Sequence, residues 1–362
     1  MSRRSRSGRR RTLGKLEYVI DWNLAGTVAR GVANLQPAGD PAPFEQLAGP
    51  AEEAERLVSA YTRLVPVQPV PVAEAVDRSG WIEANLAGLA AVLEPTAQRI
   101  AGNAGPLGTL AGGVVAIEAG AVSGFLAGRV LGQYEFGVLD PDKPARLLFV
   151  APNLAHAAKS LDTPADQLLR WVALHEMTHA LQFGGVPWLR PYLKELLGEL
   201  LGALEFNPRS LLRVPDVTDL RKLFDRVRDD GLATIMIGED RRGALDRVQA
   251  FMAVLEGYAE HVMDAVGAGV LDDLPGMRSA LGKRRHDRSG FLKLLDKLLG
   301  MDLKLRQYEQ GKAFCDGAVA RAGIGGLNRV WIGPEALPTV AELSDPAGWL
   351  RRTEPLALRP SA

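Results

Sequence analysis

The sequence predicts a mainly α-helical protein with a small β-sheet, an α+β fold. Apolar residues recur at intervals of three and four along much of the 362-residue chain, as they do on the buried face of a helix. Turn residues between Asp140 and Pro144 separate two short apolar runs, which is typical of a β-hairpin. Hydrophobic residues make up 47% of the chain, enough for a core in each of two domains or in one large domain.

Residues 17–138 are predicted to form a helical N-terminal region. Apolar residues have helical spacing in the segments "WNLAGTVARGVANL", "AEEAERLVSAYTRLV" and "WIEANLAGLAAVLEPTAQRI". The proline-rich segment "VPVQPVPVAEAV" separates the second of these helices from the third. Residues 139–355 are predicted to form a second region, which contains the segment "WVALHEMTHALQFGG".

A glycine-rich helix is predicted from about residue 108 to residue 132. Small residues recur there at intervals of four, so they share one ridge along which another backbone can approach closely. They are Gly108, Gly112, Ala116, Gly120, Gly124, Gly128 and Gly132. Glu118 lies in the middle of this apolar segment. We therefore expect an internal helix of the fold and no membrane span.

Basic residues are concentrated at the N terminus. Residues 1–16 hold seven of the 43 basic residues and no acidic one, which leaves 36 basic against 43 acidic residues elsewhere. We predict a solvated, disordered tail that can attract phosphate groups without sequence preference, and no specific nucleic-acid partner. Glu17 and Asp21 interrupt the chain before any apolar run, so the tail is not a secretory signal and we expect a cytoplasmic protein. Cys315, the only cysteine, is predicted to be a buried small hydrophobic residue.

The segment "WVALHEMTHALQFGG" belongs to a helix predicted over residues 164–183. Thr163 is its expected N-cap and Pro164 its first helical residue, and the glycines and proline of "GGVP" end it. Further helices are predicted at "WLRPYLKELLGELLGAL", "TDLRKLFDRVRDD", residues 244–266, "GFLKLLDKLLG" and "LKLRQYEQGKAFCDGAVARAG".

The spacing of the charged and polar residues in "HEMTH" predicts a zinc site. His175 and His179 are four residues apart and lie on one face of a helix, so both imidazoles can bind a single ion. Glu176 is rotated by about 100° from His175, where its carboxylate can reach a zinc-bound water without being a ligand. In that arrangement Glu176 is the general base, and we expect one Zn²⁺ per chain.

A catalytic zinc of this type needs a third protein ligand, and the segment "LEGYAEHVMDAVG" offers three acids spaced by four. Glu256 is the favoured ligand. Glu260 then lies one turn further on, where it can accept a hydrogen bond from the other nitrogen of a ligand histidine. Two alternatives remain: Glu260 is the ligand with Asp264 behind it, or the three acids form a solvated stripe.

These motifs carry a family resemblance. His175-Glu176-x-x-His179 followed by Glu256-Gly-x-Ala-Glu260 resembles the gluzincin branch of zinc peptidases, in which the glutamate before the glycine is commonly the third ligand. With "DWNLA", "GFLAGRVLGQYE" and "LNRVW", the chain is similar to bacterial zincin-like metallopeptidases. That family is often labelled as hydrolases associated with deazaflavin coenzyme biosynthesis. The resemblance implies a zinc site and a zincin-like catalytic core over residues 139–355, preceded by a helical N-terminal domain.

Peptide hydrolysis develops an oxyanion that a side chain beside the zinc stabilises, and the resemblance implies that this side chain follows the third ligand in the sequence. Tyr308 in "KLRQYEQG" is the favoured candidate, and His286 in "KRRHDRSG" is the alternative, although it is expected to be solvated. Tyr258 and His261 neighbour the acidic face but turn away from it by about 100–200°.

The sequence supports two functions. The first is a zinc-dependent metallopeptidase in which Glu176 activates a zinc-bound water to attack an amide bond of a peptide or protein substrate. The second is a zinc-stabilised, non-catalytic binding or assembly protein on the same scaffold. Glu176 distinguishes them, because a purely structural zinc site does not require it. No pattern in the chain specifies an oligomeric state.

Overall fold

The computed structural model describes residues 19–101, 106–137, 143–202, 239–285 and 306–357. Within these ranges the protein is mostly helical with one small sheet, which confirms the predicted fold class. The helices, numbered through the described residues, are α1 (Trp22–Asn34), α2 (Ala48–Thr62), α3 (Arg78–Ala101), α4 (Pro106–Ala127), α5 (Ala151–Ser160), α6 (Ala165–Gly185), α7 (Leu189–Gly202), α8 (Glu239–Gly267), α9 (Leu274–Arg285), α10 (Arg306–Leu327) and α11 (Pro346–Ala357). The predicted tail over residues 1–16 and the predicted helices at "TDLRKLFDRVRDD" and "GFLKLLDKLLG" lie outside the described residues.

Three strands form one mixed sheet: β1 (Ala73–Val76), β2 (Gly132–Glu135) and β3 (Arg146–Val150). The order is β1-β3-β2, with β1 parallel and β2 antiparallel to β3. The β2–β3 pair confirms the two strands of the predicted hairpin. The segment "VPVQPVPVAEAV" lies between α2 and α3 as predicted, and its last four residues also form β1, which was not predicted. The short sequence "AEAV" has weak strand propensity, and its pairing with the buried strand β3 decides its conformation.

The sheet separates two hydrophobic cores, because β3 is buried on both faces. Leu147 and Phe149 face a core built mainly from α2, α6, α8 and α10, whereas Leu148 and Val150 face a core shared with α1, α3 and α4. Strands β1 and β2 precede residue 138 and β3 follows it, so one sheet includes residues from both predicted regions. The division of the chain at residue 138 stays a prediction.

The glycine ridge of α4 packs against the backbone of α1. A Cβ atom at Gly120 would overlap the carbonyl oxygen of Ala25, and one at Gly124 would overlap that of Ala29. Helix α1 is itself capped by Asp21, whose carboxylate accepts hydrogen bonds from the N–H groups of residues 23 and 24 at 3.1 and 3.0 Å. The close contact between two backbones confirms the predicted role of the ridge.

Two details of the predicted glycine-rich helix are wrong. Helix α4 ends at Ala127, and Gly132 begins β2, because the backbone there pairs with β3 instead of continuing the helix. The helix is also internal on one side only, since the side chains of Val114, Ile117 and Phe125 are 56%, 49% and 41% exposed. None of the described helices has the length and apolar character needed to cross a membrane.

Helix α6 runs through the larger core, and its middle turns are buried almost all round. It begins one residue later than predicted, with Pro164 as the N-cap, so the prediction of Thr163 as N-cap is wrong. The reason is the end of α5: Asp162 has a φ of 51°, and the N–H of Thr163 bonds back to the oxygen of Ala158 at 3.0 Å. Thr163 therefore closes α5, as the last residue of a Schellman motif.

Helices α8 and α10 cross with almost no side chain between them. A Cβ atom at Gly257 would overlap the backbone of Gly311, and one at Gly311 would overlap the backbone of Ala253. Cys315 lies one turn after Gly311 on α10 and is fully buried, which confirms its predicted role as a hydrophobic residue. Burial raises the pKa of its thiol well above the ordinary value. The glycine of "LEGYAE" thus fixes how α8 lies on α10.

Replacing Gly120 with Leu should lower the free energy of unfolding by at least about 1–3 kcal/mol, because the new side chain would have to force α1 away from α4. Chemical denaturation measures the change. Gly113→Leu is the matched control, since a Cβ atom at Gly113 meets nothing within 4 Å. Equal loss of stability in both variants would contradict the packing of α1 on α4.

Candidate metal centre

Helix α6 brings two imidazoles together. The Nε2 atoms of His175 and His179 are 3.2 Å apart, and the two rings meet edge to face with centroids 4.6 Å apart. One helical turn separates the residues, and both project from the same face of α6. The predicted pair of imidazoles is therefore assembled by the helix alone.

Helix α8 adds a carboxylate to the pair. Glu256 Oε2 lies 3.7 Å from His175 Nε2, and Glu256 Oε1 lies 3.6 Å from His179 Nε2. Within the described ranges, these three residues form a group whose ligand atoms all lie within 4.8 Å of one another. The side chains are 23%, 11% and 25% exposed in the order His175, His179 and Glu256, so the group opens to solvent on one side.

The spacing of the three side chains fits a zinc ion. Ligand atoms held about 2.0–2.2 Å from a tetrahedral ion are about 3.3–3.6 Å from one another. The distances of 3.2, 3.6 and 3.7 Å between the nitrogen and oxygen atoms match this geometry within a few tenths of an ångström. Two imidazoles and one carboxylate are also a donor set that catalytic zinc uses.

A buried glutamine fixes the orientation of His179. Gln182 Oε1 lies 2.8 Å from His179 Nδ1, and Gln182 Nε2 donates to the backbone oxygen of Leu255 at 3.2 Å. Because the amide nitrogen is used on Leu255, the amide oxygen accepts a hydrogen bond from Nδ1–H of the imidazole. The lone pair of His179 is then on Nε2, which faces Glu256 and His175. The sequence prediction missed Gln182, although it lies three residues after His179 on a neighbouring part of the same helix face.

The Nδ1 atom of His175, across the ring from the Nε2 atom that faces Glu256, contacts a sulfur atom. His175 Nδ1 lies 3.3 Å from Sδ of Met263, and a thioether is a weak hydrogen-bond acceptor. This contact also favours a proton on Nδ1 and leaves Nε2 available to the group. Met263 comes from α8, seven residues after Glu256, so the helix that supplies the carboxylate also orients the imidazole.

Glu176 is held beside the imidazoles by the sheet and is not a member of the converging group. Its Oε2 accepts a hydrogen bond from the backbone N–H of Tyr134 in β2 at 2.9 Å. A Cβ atom at Gly132 would lie 2.7 Å from Glu176 Cγ and from Val172 Cγ1, so only glycine allows β2 to approach α6 this closely. Glu176 is buried, and β2 restricts its carboxylate to one side of the site.

The other predicted site residues lie outside the converging group or outside the described part of the protein. Glu260 follows Glu256 by one turn of α8 and is half-buried, and its contact with a ligand histidine stays a prediction. Asp264 pairs with Arg278 and, at 2.9 Å, with Lys312. These two basic residues, and not the imidazoles, compensate its charge. The backbone of Tyr308 is in the first turn of α10, but its side chain is outside the described part of the protein, as is all of His286. Their roles stay predictions.

Tyr258 and His261 point away from the three converging residues, as the helical angles predict. Tyr258 donates to Asn328 Oδ1 at 2.8 Å. His261 lies between Tyr61, whose hydroxyl is 2.7 Å from Nε2, and Asp316, whose Oδ1 is 2.7 Å from Nδ1. Burial alone would raise the pKa of Asp316, but hydrogen bonds from Lys312 and His261 lower it below the ordinary value. This chain of polar groups joins α2, α8 and α10, and no sequence motif indicated it.

The chain is similar to known proteins in sequence and in structure. A family model described as zincin-like metallopeptidase matches residues 20–350. The chain belongs to the zincin-like metallopeptidase family. The crystal structure of a "putative hydrolase with a novel fold" from Chloroflexus aurantiacus is also similar, with 30% identity and a TM-score of 0.72 over 94% of this chain and 100% of that one. No curated protein matches the chain.

Membership of the zincin-like metallopeptidase family confirms the resemblance inferred from the two motifs. It indicates zinc binding and the chemistry of a hydrolase. In this chain the residues suited to zinc are those that α6 and α8 bring together, since they alone form such a group among the described residues.

Replacing Gln182 with Ala should weaken zinc binding about 10- to 100-fold, because His179 would lose the partner that fixes its tautomer and ring orientation. Competition with a zinc chelator measures the affinity. Gln167→Ala is the matched control: Gln167 is a buried glutamine of the same helix, but its Oε1 accepts from the N–H of Asp272 at 3.0 Å. Equal zinc affinity in the two variants would show that Gln182 does not orient His179.

Proposed function

We propose that the protein is a zinc-dependent peptidase in which His175, His179 and Glu256 hold one Zn²⁺ and Glu176 is the general base. The supporting observation is that Glu256 and Glu176 are held in different positions. Glu256 lies 3.6–3.7 Å from both imidazole Nε2 atoms, whereas the carboxylate of Glu176 is held separately by the Tyr134 N–H. A structural zinc site has no need for the second carboxylate.

In the proposed reaction, the zinc ion and the protein side chains have separate roles. Bound zinc would lower the pKa of a water molecule and polarise a substrate carbonyl. Glu176 accepts the proton of the attacking water and transfers it to the leaving amine. Its hydrogen bond from the Tyr134 N–H fixes the position of the carboxylate that transfers this proton. Gln182 and Met263 keep the two imidazoles in the tautomer that presents Nε2.

The sheet supports a peptide as the substrate. In the order β1-β3-β2, β2 pairs with β3 on one side and lies at an edge of the sheet formed by the described residues. The N–H of Tyr134 in this strand points at Glu176. An extended peptide can add to such an edge through main-chain hydrogen bonds, which would bring a backbone carbonyl next to the general base.

Replacing Glu176 with Gln should abolish cleavage and leave zinc binding intact. Loss of a general base lowers a rate by about 10²–10⁴-fold. Cleavage of a peptide library by the zinc-loaded protein, read by mass spectrometry, gives the activity, and zinc content is measured on the same samples. Glu118→Gln, on the exposed face of α4, is the control. Library cleavage that survives in Glu176→Gln would contradict the proposed mechanism, and a wild type without cleavage would favour the non-catalytic binding protein.

The three acids of α8 should differ in their effect on zinc affinity. We expect Glu256→Gln nearly to abolish tight binding, Glu260→Gln to weaken it about 10- to 100-fold, and Asp264→Asn to change it least. The expected order follows from the convergence of Glu256 with the imidazoles and from the pairing of Asp264 with Arg278 and Lys312. A chelator titration of the three variants ranks them. Glu260→Gln as the most damaging change would move the ligand one turn along α8.

A further inference from the structure

Three aromatic rings form a cluster at the end of β2. Phe136 and Phe183 are stacked with ring centroids 4.0 Å apart and an angle of 22° between their planes. Tyr134 stacks beside them, with its ring centroid 5.8 Å from that of Phe136 and 6.4 Å from that of Phe183. We call these three residues the aromatic cluster. All three side chains are half-buried, so part of each ring is accessible.

The aromatic cluster adjoins the proposed zinc site on two elements. On α6, Phe183 follows His179 by four residues and His175 by eight, so it continues the helix face that carries the two imidazoles by one turn. On β2, Tyr134 donates its backbone N–H to Glu176 and places its ring in the cluster. A peptide bound with one carbonyl beside Glu176 would therefore have a neighbouring residue over the aromatic cluster.

Arg190 lies against the cluster with an unused donor. Its guanidinium carbon is 5.7 Å from the centroid of the Phe136 ring. Its Nη2 atom is buried and has no hydrogen-bond partner in the described part of the protein. Burial of a charged donor without a partner costs free energy, and the ring face of Phe136 offsets only part of that cost. Burial raises the pKa of the Tyr134 phenol, and the charge of Arg190 partly offsets this rise, so its field reaches across the cluster.

We propose that Arg190 and the aromatic cluster form a substrate subsite that binds a carboxylate of the peptide next to the scissile bond. This inference rests on the proposed peptidase function and adds the substrate class. A guanidinium pairs with a carboxylate through charge-assisted hydrogen bonds, so a carboxylate would supply the partner that the buried Nη2 lacks in the described part of the protein, and the rings would pack against the apolar part of the same residue. The carboxylate is either the free C terminus or the side chain of Asp or Glu, since both present the same group.

Binding of matched zinc-chelating probes tests the subsite without requiring turnover. Four short peptide hydroxamates are compared on the zinc-loaded protein by calorimetry: each carries either Asp or Asn, and either a free C-terminal carboxylate or a carboxamide. We expect one type of carboxylate to tighten binding about 10- to 100-fold relative to its amide, and the pair that shows the gap identifies the source. Arg190→Gln should remove the gap and leave the affinity of the doubly neutral probe unchanged.

Two controls separate the subsite from other effects. Arg170→Gln changes an arginine of α6 that pairs with Glu53, and it should keep the gap. Arg190→Lys keeps the positive charge without the planar fork and should reduce the gap, which gives a second readout if Arg190→Gln does not fold. Equal affinity of all four probes for the wild type, or a gap that survives in Arg190→Gln, overturns the subsite alone. Failure of every probe to bind overturns the zinc site and the proposed function with it.

Discussion

The candidate site depends on the close approach of α6 and α8. The buried side-chain amide of Gln182 stabilises this approach through two hydrogen bonds. Gln182 accepts from His179 on its own helix and donates to the Leu255 oxygen at 3.2 Å on the other. The next residue along α8 is Glu256, so the hydrogen bond that joins the helices also places the carboxylate opposite the imidazoles. Burial of these polar groups costs free energy unless each has a partner. Two imidazoles and a carboxylate that meet at 3.2–3.7 Å obtain that compensation most fully from a shared cation.

Two glycines allow the elements around the contact between α6 and α8 to approach one another closely. Gly257 lets α8 rest directly on the backbone of α10, and Gly132 lets β2 reach Glu176. At each position a Cβ atom would push apart the elements that carry the site residues. Behind α8, His261 connects Tyr61 on α2 with Asp316 on α10 through hydrogen bonds of 2.7 Å. The helix that supplies Glu256 is thus fixed on the face away from the imidazoles as well.

The sequence predicted the parts of the site that depend on spacing within one helix. His175, His179 and the acids of α8 follow a period of four, and helical geometry alone groups them. It did not predict contacts that depend on tertiary packing. Gln182 has a partner only because Leu255 lies across from it, and β1 forms only because β3 is its neighbour. The N-cap was misplaced for a similar reason, since Thr163 is used to close α5. Arg190 and the aromatic cluster come from three separate elements, which no local pattern relates.

The most direct test of this account is X-ray absorption at the zinc K edge of the protein loaded with one equivalent of zinc. We predict a shell of two imidazole nitrogens and carboxylate oxygen at about 2.0–2.2 Å, completed by one further light atom. Glu256→Gln should change this shell, and Glu176→Gln should leave it as in the wild type. A sulfur ligand from Met263 or Cys315, or a six-coordinate shell of oxygen atoms alone, would contradict the assignment of His175, His179 and Glu256 as the zinc site.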